Sequence, residues 1–223
     1  MIVVYKNFFR NKMVNLSVKS VRHFLPDAKF HCLSLYKENQ DEYNDQEPLS
    51  PEITNFYRQT KHVFNTGRPL DDVSDMTSGY SHPENAKVFS EGFNYIHEEF
   101  KTTNEKLLIL TEDHFFTTGE VIKELIDHDF DFAYGIWGRD IDANASILCL
   151  RPAALTEIFP ISETVTHPWQ EVERHLGNNI TTKVAEDRRY IIKNRWHSDY
   201  FGDGIYTNSS ETMLKKLIEA NIV

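Results

Sequence analysis

Cysteine is scarce in this 223-residue chain: Cys32 and Cys149 are its only two, each inside an apolar segment. Two thiols cannot build a thiolate cage, and the ten histidines show no tight metal-ligand spacing, which argues against a structural zinc. Buried reduced thiols are the expectation, and nothing calls for an oxidising compartment. Long apolar runs are missing too. The opening MIVVYKNFFRNK is too short in its apolar part for a signal peptide, and no later run approaches the roughly 20 residues that cross a bilayer. Positive charge is also in short supply, with 24 Lys and Arg against 34 Asp and Glu and a net charge of −10. That balance argues against nucleic acid or an anionic membrane as a partner. The expectation is a soluble, cytoplasmic protein without a membrane span.

Glycine patterns that cradle phosphates are absent as well. Gly67, Gly79 and Gly92 form neither G-x-G-x-x-G nor a Walker loop, which weakens dehydrogenase and P-loop readings. No G-x-S-x-G elbow supports an α/β-type hydrolase. What is present is a sizeable apolar fraction, 40% hydrophobic and 13% aromatic residues, enough for one generous α/β domain.

The apolar patterning alternates between strand and helix. Residues 2–5 read as a strand, 15–24 as a helix on Leu16, Val18, Val21 and Phe24, and 30–36 (FHCLSLY) as a second strand. This is a βαβ opening whose crossover should be right-handed and whose strands should be parallel. Residues 37–83 are rich in acids, Asn, Pro, Gly and Ser, and the expectation there is loops and a short helix. Helical spacing returns over 85–100, with Pro83 and Glu84 suited to a first turn. A strand at 107–110, a helix over 119–128 and a strand at 130–134 (FDFAY) follow as a further βαβ unit. Beyond them come a strand at 147–150, a short helix at 153–159 begun by Pro152, an acidic helix at 169–176, a strand at 190–192 and a terminal helix at 211–220.

The most informative stretch is 106–116, KLLILTEDHFF, where the apolar run 107–110 stops on Thr111, Glu112, Asp113 and His114. Neighbouring strand residues point to opposite faces, so both acids address one site only where the strand breaks into a loop. One carboxylate there suits Mg²⁺ or Mn²⁺, and the other suits a sugar hydroxyl or metal-bound water; the plainer alternative is a solvated turn. The segment 188–195 (RRYIIKNR) reads first as a strand with charged flanks, and secondarily as a phosphate-facing edge. On the acidic helix, Glu171 and Glu173 are two residues apart and face different directions, so at most one of them reaches an acceptor.

These segments, in order, resemble the nucleotide-sugar-dependent glycosyltransferases of the GT-A fold. The resemblance runs through VVYKN, LSVKSVRHFLPDAKFHCLSLY, ENAKVFSEGFNYI, LLILTEDHFF, ILCLRPAAL and WQEVE, and it rests on their order more than on extended identity. It implies a single GT-A-like α/β domain over 1–223, with a mostly parallel central sheet flanked by helices. A nucleotide-binding part would span about 1–116 and an acceptor-side part about 117–223.

The family's short acidic motif stands here as TED, with Glu112 in place of the more usual Asp. The resemblance implies Asp113 as a ligand of Mn²⁺ or Mg²⁺, Glu112 as a ribose or outer-shell contact, and Tyr5 and Asn7 at the nucleotide base. It also implies Lys87 near the diphosphate, His197 completing the metal site, and Glu171 as the base of an inverting reaction. WQEVE departs from the family's ED-like motif, and a retaining outcome stays open, with Asp199 and Asp203 next in line after Glu171. The implied activity is metal-dependent transfer of a sugar from a nucleoside diphosphate donor, UDP-sugar first, to a hydroxyl acceptor such as a glycan or other small molecule. Two other classes fit the same strand-end acids. One is a nucleotidyltransferase or metal-dependent phosphohydrolase. The other is a noncatalytic nucleotide- or glycan-binding protein.

Overall fold

A computed structural model describes residues 1–7, 11–36, 47–59, 83–137, 142–161, 169–192 and 210–223. Among them, seven strands form one sheet in the order β3-β2-β1-β4-β6-β5-β7. The strands are β1 (Ile2–Asn7), β2 (Lys29–Tyr36), β3 (Ile53–Gln59), β4 (Leu107–Thr111), β5 (Phe132–Trp137), β6 (Asp142–Leu150) and β7 (Arg189–Ile191). All run parallel except β6, which is antiparallel to both of its neighbours. The sheet continues unbroken from β1 to β7, which makes the expected single α/β domain with a mostly parallel sheet.

Helices cover both faces, and the alternation of side chains along each strand explains why. Ile2, Val4, Leu33, Leu35, Leu107 and Ile109 point to one side, where they meet α2 (Pro83–Phe100), α4 (Pro152–Ile158) and α5 (Trp169–Lys183) through residues such as Phe93, Ile96, Ile158 and Leu176. Val3, Tyr5, Phe30, Cys32, Leu108 and Leu110 point to the other, against α1 (Asn11–Phe24) and α3 (Glu120–Asp127). Each fully buried aliphatic or aromatic side chain of this kind contributes about 2 kcal/mol of transfer free energy. Gly92 lets α2 approach β2 closely, because a Cβ there would stand 3.1 Å from Leu35 Cδ1. A smaller cluster joins α1 to the C-terminal α6 (Ser210–Glu219) through Met13, Leu16, Phe115, Met213 and Leu217.

Two expectations need correction. The segment 37–83 holds a strand, β3, as well as its irregular parts. Among the described residues β3 is an edge strand paired only with β2, so its outward residues are wet, with Tyr57 63% exposed, and its apolar pattern is diluted by Thr54, Asn55 and Arg58. The second βαβ unit, β4-α3-β5, is split by β6, which inserts between its two strands. The rest of 37–83, apart from 47–59 and Pro83, lies outside the described residues.

Candidate active site

The strand order fixes where a ligand belongs. From β1 the chain proceeds outward through β2 and β3, then returns to place β4 on the other side of β1. The helices after β1 and β3, α1 and α2, lie on opposite faces. The strand order therefore reverses outside the carboxyl ends of β1 and β4, the position at which open α/β sheets bind ligands. In register, Lys6 of β1 stands opposite Thr111 of β4. The acids anticipated from the sequence follow Thr111 directly.

β4 breaks as the side-chain argument requires. His114 N donates to the Thr111 carbonyl at 3.1 Å, closing a turn over Glu112 and Asp113. Thr111 Oγ1 donates to Asp113 Oδ1 at 2.6 Å and lies 2.9 Å from His114 Nδ1. The chain beyond is pinned to α1. Ser17 Oγ is hydrogen-bonded to the His114 carbonyl, and Phe116 N donates to Ser20 Oγ at 2.6 Å. Phe115 and Phe116 are buried on either side of that anchor. The turn is held at both ends, which keeps its carboxylates at a fixed place on the rim.

Two further charged groups, Lys6 and Glu173, converge there. Lys6 is wholly buried, with its Nζ 4.0 Å from the centroid of the Phe93 ring on α2. Burial pushes its ammonium down to about 7, against the pull of Glu112, Glu173 and Asp113 in that order. Glu112 is 5% exposed and Glu173, on the second turn of α5, is 2% exposed. Glu91 of α2 is buried as well, and α2 and α5 both begin at this edge because they lead back to strands that start at the other one. Carboxylates are seldom buried unless they are paired or serve a ligand.

The site residues named from the sequence fall into three groups. Glu112 and Asp113 sit together in the turn after β4, with Glu112 the more buried of the two. Lys87 is half-buried on the second turn of α2, toward the same edge. Tyr5 is buried on the opposite face of the sheet, stacked on Phe30 at 6.5 Å, with its hydroxyl 3.0 Å from Ser17 Oγ. Burial raises its phenol well above the ordinary value. That is the placement of a core residue and leaves no ring face for a nucleotide base. Asn7 ends β1, and Glu171 lies in the first turn of α5; the side chains of both are outside the described residues, as are His197, Asp199 and Asp203 entirely.

Sequence reading passed over Lys6, naming only Tyr5 and Asn7 on either side of it. The available signal was a lysine in a strand whose two neighbours are both in the sheet. Arg188, on the charged flank of the strand read from 188–195, is committed to Asp131 and Asp129 at the opposite end of the sheet, which removes it from the secondary reading of a phosphate-facing edge. Among the described residues no three His, Cys, Asp or Glu side chains are grouped to hold a metal ion. Glu112 and Asp113 nonetheless offer hard oxygen donors, and Mg²⁺-type sites need only one or two carboxylates when substrate phosphates supply the rest. The donor set fits such a cation. Also among the described residues, no helix is long and apolar enough to cross a membrane.

No protein-family profile matches the chain, and no curated protein matches it. Among solved structures it is similar to the glycosyltransferase GlyE of Streptococcus pneumoniae TIGR4, at 14% identity and a TM-score of 0.47, over 88% of this chain and 46% of that one. It is similar also to the galactosyltransferase LgtC, solved with donor and acceptor sugar analogues, at 14% identity and a TM-score of 0.49, over 98% of this chain and 96% of that one. The chain thus spans about half the length of GlyE and nearly all of LgtC. The likeness is to the course of the chain in two glycosyltransferases, and it assigns neither residues nor activity.

Proposed function

We propose that this chain is a glycosyltransferase that uses Mn²⁺ or Mg²⁺ and moves a sugar from a nucleoside diphosphate donor, UDP-sugar first, to a hydroxyl of a glycan or other small acceptor. The observation that carries this reading is the placement of Glu112 and Asp113, in the turn after β4, beside Lys6 of β1 at the strand-order switch. The TED motif of the sequence resemblance lies at that point. In this reading residues 1–116 serve the nucleotide and 117–223 serve the acceptor. The buried thiols Cys32 and Cys149 suit a cytoplasmic setting.

The acceptor oxygen forms a bond to the anomeric carbon as the bond from that carbon to the diphosphate breaks. The acceptor's proton passes to a carboxylate, with Glu171 of α5 the assignment implied by the resemblance. Asp113 and His197 would hold the metal, which when bound neutralises charge on the departing diphosphate. Glu112 supports Asp113 from the deeper position, and the Thr111 hydrogen bond orients the Asp113 carboxylate.

The test is product analysis with a panel of UDP-, GDP-, CDP- and TDP-sugars, with Mn²⁺ and with chelator. Release of a nucleoside diphosphate in step with glycosylated acceptor, lost in Asp113→Asn, is the expected result. Release of pyrophosphate would instead identify a nucleotidyltransferase, and nucleotide binding without turnover a noncatalytic protein.

A further inference from the structure

The turn that carries Glu112 and Asp113 is held from outside the candidate site. Pairing of β4 ends at Thr111 against Lys6 on one side and at Leu110 against Ile147 on the other. The buried chain that follows must find partners for its backbone elsewhere. Two fully buried serines one turn apart on α1 supply them. Ser17 Oγ donates to the His114 carbonyl, while Ser20 Oγ accepts from Phe116 N at 2.6 Å and donates to the Phe116 carbonyl at 3.0 Å. Serine adds little to a helix interior by itself, and here both hydroxyls are used on a segment outside the helix. Counting hydrogens gives these contacts a direction. Ser17 has one hydroxyl hydrogen and a carbonyl only accepts, so at the 3.0 Å contact between Ser17 Oγ and the Tyr5 hydroxyl the tyrosine is the donor. An ionised Asp113 likewise only accepts, so Thr111 gives its hydrogen to Oδ1 at 2.6 Å, and His114 Nδ1, 2.9 Å from Thr111 Oγ1, carries the hydrogen of that second contact. His114 is thus held at its carbonyl by α1 while its ring holds the Thr111 hydroxyl on Asp113.

We infer that Ser17, itself oriented by the Tyr5 hydroxyl, is a positioning residue for Asp113 and acts through His114. This rests on the reading above in which Asp113 holds a divalent cation. A serine that only stabilised α1 would, on removal, lower stability and leave the Asp113 carboxylate where it was. Ser17 instead acts along one chain of contacts, so its effect on the cation depends on the Thr111 hydroxyl being present. Tyr5, a core residue on the far face of the sheet, gains by this route a part in the site that its ring cannot play directly.

The test is a double-mutant cycle on the full chain, read by titrating Mn²⁺, alone and with UDP, and following the electron paramagnetic resonance signal of the free ion. Each variant is first checked for folding by circular dichroism. Ser17→Ala is expected to bind Mn²⁺ on the order of tenfold more weakly than wild type. Thr111→Val is expected to weaken binding by itself, and adding Ser17→Ala to it should change affinity by less than about twofold. Tyr5→Phe keeps the ring, removes only the hydroxyl and should weaken binding by about threefold; it takes the place of Ser17→Ala in the cycle if that variant does not fold. Arg22→Ala is the control, because it frees the other end of α1, where the guanidinium donates to the Ala28 carbonyl at 2.9 Å and to Glu52 at 2.7 Å. It should lower stability and leave Mn²⁺ affinity unchanged. A loss of affinity that is the same with and without the Thr111 hydroxyl, a loss matched by Arg22→Ala, or no loss at all would overturn the inference and leave the metal-dependent reading standing. A wild type that binds no Mn²⁺, alone or with UDP, would overturn both.

Discussion

The two ends of the sheet both gather charge, and they do so in opposite ways. At the carboxyl edge, Lys6, Glu112 and Glu173 are buried, and burial pulls the lysine far from its ordinary value. At the amino edge of the β5–β7 half, Arg188 forms a two-bond fork with Asp131 at 2.8 and 3.1 Å and reaches Asp129 at 2.8 Å, while Arg151 donates to Asp129 at 2.6 Å. These groups are part-exposed or exposed, two arginines answer two aspartates, and the hydrogen bonds to arginine hold both aspartates below the usual carboxylate range. The amino-edge cluster ties together the starts of β5 and β7 and the end of β6. Its geometry is complete without any ligand. Burying acids and a lysine at a switch point costs desolvation free energy that a merely structural cluster avoids by staying in water. That cost is the reason for proposing the carboxyl edge as the functional end.

Substitutions at the two ends should therefore separate activity from stability. The largest effect is expected from Asp113→Asn, which should lower metal-dependent turnover by about a hundredfold while the folded structure persists, as read by steady-state kinetics beside circular dichroism. Next, Glu173→Ala leaves Lys6 without one of its buried partners and should cost about 3 kcal/mol in urea unfolding, together with a loss of turnover. Arg188→Ala, by contrast, removes a partly exposed network and should lower the urea midpoint much less than Glu173→Ala does, with turnover unchanged. Parity of these two losses would erase the distinction drawn between the ends.

The smallest effects concern solvent conditions. The Asp131 carboxyl is depressed below its ordinary 3.8 by Arg188, so its contribution to stability is full above that value and is lost as pH falls through the lower folded value. Wild type should lose that contribution on acidification and Asp131→Asn should not, a difference that thermal melts between pH 5 and pH 2 would read. Raising salt to about 1 M, where the screening length is about 3 Å, should weaken the exposed amino-edge network and leave the buried cluster's contribution nearly intact.

Much of the fold was legible because period and length agree in the long elements. The apolar faces of α1 and α2 and the continuous run of β4 announce buried positions whatever surrounds them. β3 was not legible, since an edge strand with Thr54, Asn55 and Arg58 among its residues needs no apolar face on its outer side. Nor was the insertion of β6 between β4 and β5, which is a matter of long-range pairing. In the site, the break after Thr111 was readable from chemistry alone, because two adjacent acids end an apolar strand. Tyr5 misled because a strand-end tyrosine looks the same in sequence whether it faces a ligand or the core. The parity of β1 decides it, placing Tyr5 toward α1 and Lys6 toward α2. Between Glu171 and Glu173 the helix period says only that they diverge; the packing of α5 against the sheet is what brings Glu173 to Lys6.

The most direct test of the carboxyl edge as a nucleotide-sugar site is a thermal-shift comparison of wild type and Asp113→Asn with UDP, with Mn²⁺, and with both. Stabilisation that requires UDP and Mn²⁺ together in wild type and disappears in the variant is the predicted result. Equal shifts in the two proteins would contradict it, because the nucleotide would then be bound without the β4 acid on which the account depends.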